Sequence, residues 1–176
     1  SMPAVCPYEG LVVKNHVRTD LPLPLTLDDF DNHAYNSHRI TLWNEAARSL
    51  VHVITETSFY GRKNHITEKT FKPIVLQQPF ILASNRGSLE YMKKYGFETF
   101  SDVWDESYDS ADDDVRCTRI ASLLEDLEYA DKQYLHELCA PIVAHNFNHF
   151  YGGAFERILW KELSDMLEQI ANDFCI

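Results

Sequence analysis

Apolar and polar positions along the chain fall into short β-branched runs separated by stretches with helical spacing. From residue 39, ITLWNEAARSL has the apolar spacing of a helix, and LVHVITETSF then reads as a buried strand that ends in polar Glu56, Thr57 and Ser58. FYGRKN is a loop, and Thr67 is the expected N-cap of a helix running to about Leu76. QPFILAS, a continuous apolar run, predicts a central parallel strand. SLEYMKKYG predicts a helix with Ser88 as cap and Gly96 as stop, and FETF a third short strand. Strand–helix–strand–helix–strand with short linkers predicts an α/β fold: a Rossmann-like parallel sheet over residues 39–112.

The flanks have a different character. Residues 1–38, with two prolines in LPLPLT, predict an extended N-terminal segment. Residues 113–176 predict a C-terminal helical segment packing on the core. Its apolar positions include Val115, Ile120, Leu123 and Leu127, and later Leu135 and Leu138. Pro141 is expected to interrupt the pattern or to start a further helix through IVAHNFNHF. Gly152-Gly153 then breaks the chain before a final amphipathic helix, AFERILWKELSDMLEQIANDF.

Composition narrows the function classes. With 176 residues, 45% hydrophobic and 24% charged, the chain has the make-up of one globular domain able to bury a core. Its net charge of -11 argues against broad nucleic-acid binding, which needs a basic surface. No apolar run reaches the length of a membrane span. Cys6, Cys117, Cys139 and Cys175 stand far apart with no CxxC pair, which predicts reduced thiols and a cytoplasmic location. The Ser1-Met2 start suggests a piece of a longer protein.

The chemistry concentrates in NHITEKTFKPI, residues 64–74. Ligands of open parallel sheets bind at the carboxyl ends of the strands, beside helix N-termini. Glu56-Thr57-Ser58, Ser84-Asn85-Arg86 and Thr67-Glu68-Lys69 would all lie on that edge. A helix N-terminus favours an anion such as phosphate, and Lys69 adds a full positive charge. Glu68 beside it suits sugar hydroxyls, so acid and base together fit a nucleoside diphosphate. Pro73 removes the bond to the Lys69 carbonyl and predicts a short or kinked helix. An ordinary helix cap with a solvent-facing lysine explains the same residues without a ligand.

VHVITETSFYGRKNHITEKTFKPIVLQQPFILAS resembles the nucleotide-sugar-binding segment of the alpha-1,3-fucosyltransferases. In that family a strand ending in a Phe-Glu-Asn-Ser-like tetrad precedes Tyr-Ile-Thr-Glu-Lys, a helix and a Pro-Val strand. Glu56 and Ser58 match the tetrad, Ile66 to Lys69 match identically, and His65 replaces the usual Tyr. The resemblance covers about residues 50–110, and the stretch from TEKTFKPI to WDESYD is also similar to uncharacterised phage and bacterial glycosyltransferase-like proteins. It implies half of a GT-B fold, the donor-binding domain of a glycosyltransferase that moves a sugar from a nucleoside diphosphate to an acceptor hydroxyl. Glu68 would hold the ribose and Lys69 the phosphates, with Thr67, His65, Glu56 and Ser58 around the nucleotide sugar; Arg86 is, by its position just after the second strand, the best-placed further cation for the phosphate site. The resemblance also implies no metal or other cofactor, and a catalytic base on another domain or a partner.

Other clusters have plainer explanations. The acidic run in WDESYDSADDD, Asp105 to Asp114, lacks the Gly and closing Glu of a calcium loop and reads as a solvated loop capping the next helix. His145 and His149 share a helix face without a third ligand at matching spacing. Trp43, Trp104 and Trp160 read as core or interface aromatics. The alternative function is a non-catalytic Rossmann-like module that recognises a protein partner or a nucleotide signal, with a partner domain or a second copy against it.

Overall fold

The computed structural model describes residues 48–61, 63, 64 and 66–174. The expected N-terminal segment and most of the helix expected from residue 39 lie outside them, as do Arg62 and His65. Two parallel strands, β1 (His52–Thr55) and β2 (Phe80–Ala83), pair from His52↔Phe80 to Thr55↔Ala83. Every side chain of β2 is buried, whereas β1 buries Ile54 and exposes Val53 and Thr55. The continuous apolar run thus lies covered on both faces, and the alternating one keeps a solvated face.

Helix α1 (Glu68–Val75) joins the strands. Thr67 caps it by accepting the Lys69 N–H, and Pro73 sits inside it. The helix ends two residues after Pro73, with Gln77 N–H bonded to the Ile74 carbonyl and Gln78 N–H to that of Pro73. This closure needs a left-handed residue, and Gln77 supplies it at φ 52°.

Helix α2 (Ser88–Lys94) follows β2. Ser88 is its first helical residue, not its cap: its hydroxyl donates to the Asn85 carbonyl, and Gly87 holds the cap position. The 3-10 turn Ser107–Ser110 leads to α3 (Asp113–Tyr129), α4 (Lys132–Tyr151) and α5 (Ala154–Phe174). Pro141 does not break α4, which runs through it with Pro141 exposed. The actual break falls at Ala130, where Asp131 restarts the helix by accepting the Tyr134 N–H.

The expected third strand is absent: FETF is irregular. Side chains replace the missing strand partner. The Asn146 amide accepts the Glu98 N–H at 2.8 Å and donates to its carbonyl at 2.9 Å, while Glu106 accepts the Phe100 N–H. The chain is therefore a helix-rich mixed α/β protein with a small parallel sheet.

The core runs from Ile54 and Phe80–Ala83 through Leu89, Met92, Phe97 and Phe100 to Ile120 and Leu123 of α3. Trp104 stacks on Phe100 inside it, whereas Trp160 is exposed. Burying each large apolar side chain stabilises the fold by roughly 1.5–3 kcal/mol. Helix α5 contributes no fully buried side chain, and Leu163, Met166, Leu167, Ile170 and Phe174 are exposed along it. Among the described residues no helix is long and apolar enough to cross a membrane.

Candidate functional site at the strand ends

Glu56 leaves β1 and turns inward, with only 5% of its surface exposed. Its carboxylate accepts hydrogen bonds from Thr70 Oγ1 at 2.6 Å, Thr67 Oγ1 at 2.7 Å and Thr67 N–H at 2.9 Å. Burial alone would push its pKa up, but the bonds from Thr70, Thr67 and Thr57 outweigh it and hold the carboxyl below the usual glutamate range. The chain's own donors fill Glu56, so it fixes the first turn of α1 against the end of β1. A resemblance-based reading puts it against the nucleotide sugar; its geometry makes it a positioning group for the residues that reach the rim.

Lys69 is the residue that reaches it. Its Nζ lies 3.2 Å from Thr57 Oγ1, so the ammonium points to the carboxyl end of β1. In the same turn the Thr67 N–H goes to Glu56 and the Lys69 N–H to Thr67 Oγ1, leaving the Glu68 N–H without a partner among the described residues. Glu68 itself is exposed. Among the described residues the first turn thus offers one amide without a partner, one ammonium and one solvent-facing carboxylate.

The loop after β1 forms the opposite lip, and two residues from distant elements clamp it. Asn85, at the end of β2, donates to the Tyr60 carbonyl at 2.6 Å and to Ser58 Oγ at 3.2 Å. Arg116 of α3, 1% exposed, donates to the Phe59 carbonyl and to Asp113 at 2.9 Å, with its guanidinium 4.1 Å from the centre of the Phe59 ring. Sequence reasoning missed Arg116 because it lies on a helix outside the strand–helix core and carries no motif. Its one signal is a lone cation among α3 positions that otherwise bury Cys117, Ile120, Leu123 and Leu127.

Arg86 does not join Lys69 in any hydrogen bond. It pairs with Asp112 at 3.1 Å and lines an open acidic groove of 800 Å³ with Asp113 and Asp114. The acidic run otherwise does structural work: Asp105 caps the turn at Ser107, and Asp109 accepts the Leu89 N–H at the start of α2. Burial pushes the Asp109 and Glu106 carboxyls up. His145 and His149 stack 5.7 Å apart, and their Nε2 atoms meet the Gly96 and Tyr95 carbonyls at 2.9 and 2.6 Å. They finish the carbonyl end of α2. Among the described residues no group of three or more His, Cys, Asp or Glu could hold a metal ion. His65 lies outside the described residues.

No protein-family model, curated protein or solved structure matches the chain.

Proposed function

We propose that this chain is the donor-binding half of a nucleotide-sugar-dependent glycosyltransferase of the GT-B type, Rossmann-like in its strand-end site. The observation that carries the reading is the Lys69 ammonium at the carboxyl end of β1, one residue from the Glu68 N–H, which has no partner among the described residues. A diphosphate there gains a charge-assisted bond from Nζ and a backbone N–H at the positive end of α1. Glu68 faces solvent beside it and can accept hydrogen bonds from ribose hydroxyls. As the bond from the sugar to the phosphate breaks, negative charge grows on the departing diphosphate, and Lys69 stabilises it. The base that takes the acceptor hydroxyl's proton belongs to another domain or a partner.

Titration calorimetry with inorganic pyrophosphate and a panel of nucleoside diphosphates tests this. Lys69→Ala is expected to weaken binding by about ten- to a hundredfold, the worth of one charged hydrogen bond. Binding that ignores Lys69→Ala, or no binding of any diphosphate, overturns it.

A second reading has its own support. The exposed apolar side chains of α5, with Phe174 at 82% and Trp160 at 60%, suit a module that docks on a protein partner or a neighbouring domain. Loss of a stable complex on Leu163→Asp, with no diphosphate binding by the parent chain, would favour it.

A further inference from the structure

We infer that the aromatic cavity between α1, α2 and α5 binds a small organic cation of the trimethylammonium class, such as choline. This site stands apart from the diphosphate reading and shares neither Lys69 nor Glu68 with it. The cavity holds about 260 Å³ and is walled by Phe71, Tyr91, Tyr95 and Phe155, with Asn64 at the loop side. Cavities for drug-sized ligands run to roughly 300–1,000 Å³, so this one suits an ion of choline's size.

The walls set the shape of the occupant. Tyr91 meets Tyr95 at 67° with ring centres 5.1 Å apart, and Tyr95 meets Phe155 at 83° and 6.1 Å. Phe71 lies 5.6 Å from Phe155, tilted by 36°. Rings that meet this steeply bound a compact space, which matches a rounded group better than a flat one. Aromatic faces carry partial negative charge, so a cation held among several of them is attracted by each.

Charge and hydrogen bonding set its chemistry. Among the described residues no Lys or Arg lines the cavity. The charged side chain bonded to its wall is Glu162 of α5, which accepts from the Tyr95 hydroxyl at 3.0 Å. That bond uses the Tyr95 proton, so Tyr91 donates its own to the Tyr95 oxygen at 3.1 Å. A chain of this kind polarises its members, and a phenol donating to a carboxylate presents a more negative ring face. The net charge of -11 also favours approach of a cation. A primary ammonium would bring three donors and a tight hydration shell, whereas Asn64 Oδ1 is the one buried acceptor on the described walls without a partner. A trimethylammonium group has no donor to satisfy, and the hydroxyl of choline pairs with Asn64. A phosphocholine would set its phosphate against Glu162 with no lysine or arginine on the described walls to meet it, so the free ion is the better match.

The test is titration calorimetry with choline and tetramethylammonium, set against the neutral isostere of choline in which a tert-butyl group replaces the trimethylammonium. Choline is expected to bind about tenfold or more tightly than the isostere, the worth of a desolvated cation–π contact. Two variants probe the walls: Tyr91→Leu removes a ring and keeps an apolar surface, and Glu162→Gln removes the charge and keeps an acceptor for Tyr95. Tyr91 is half-buried and Glu162 exposed, so both variants spare the core. Each is expected to weaken choline by about three- to tenfold and to leave the isostere within about twofold. No binding of either cation, equal binding of choline and its isostere, or choline affinity unmoved by both variants overturns the inference. Binding to phosphatidylcholine vesicles without binding of free choline overturns it too, by moving the ligand to a membrane surface. Pyrophosphate titration reads the Lys69 site separately, so failure of one site leaves the other standing.

Discussion

Replacing Glu56 isolates the contact that ties β1 to α1. In the parent chain three bonds shorter than 3.0 Å converge on its carboxylate, two from Thr67 and one from Thr70. Hydrogen bonds to a charged acceptor contribute about 1.5–3 kcal/mol each and neutral ones about 0.5–1.5. Glu56→Gln keeps the shape but gives up that charge assistance, while sparing the cost of burying a carboxylate. The net loss is expected at about 2 kcal/mol. Glu56→Ala leaves buried donors without an acceptor and is expected to cost about 4 kcal/mol.

Urea unfolding, followed by circular dichroism from pH 7 to pH 3, reads both numbers and their pH dependence. The folded carboxyl ionises below the ordinary value of 4.5, so its contribution is fully present above that value. It is lost as pH falls through the depressed folded pKa. The gap between parent and Glu56→Gln should therefore be wide at pH 7 and shrink towards pH 3. Equal stability at pH 7, or a gap that does not narrow in acid, would refute the assignment of Glu56 as an ionised anchor.

Gly96→Ala should destabilise by about 2–4 kcal/mol in the same assay, because the residue sits at φ +87° and a Cβ would fall 2.6 Å from the His149 ring. Gln77→Gly should raise the unfolding free energy by about 0.5–1 kcal/mol, since Gln77 holds a left-handed conformation that glycine adopts without strain. Glu106→Gln should stabilise at pH 7: burial raises the carboxyl's pKa, so the folded state binds its proton more tightly than the unfolded chain and loses stability as pH rises from 4.5 through the raised value. Melting temperatures at pH 4 and pH 7 check this, with the gain expected at pH 7 and gone near pH 4.

The sequence by itself determined the elements whose signals are local. Thr67 at its cap and Pro73 near its end bound α1; the apolar run at 80–83 gives β2; Gly152-Gly153 sets the start of α5 within a residue. It also placed Thr67, Glu68 and Lys69 at the start of a helix after a parallel strand, since cap chemistry and β-branched runs act over a few residues. Only the tertiary structure decided what distant partners do. FETF has the composition of a strand, but its backbone groups are taken by Asn146 and Glu106, so no third strand forms there. Pro141 looked like a helix boundary until α4 was seen to carry it on a solvent-facing side. Glu56 becomes an internal anchor through donors 11 and 14 residues away, Arg86 is drawn to Asp112, and Arg116 reaches back 57 residues to the loop after β1. A side chain's role follows from which donors, acceptors and charges surround it, and chain folding brings those together from positions no local pattern links.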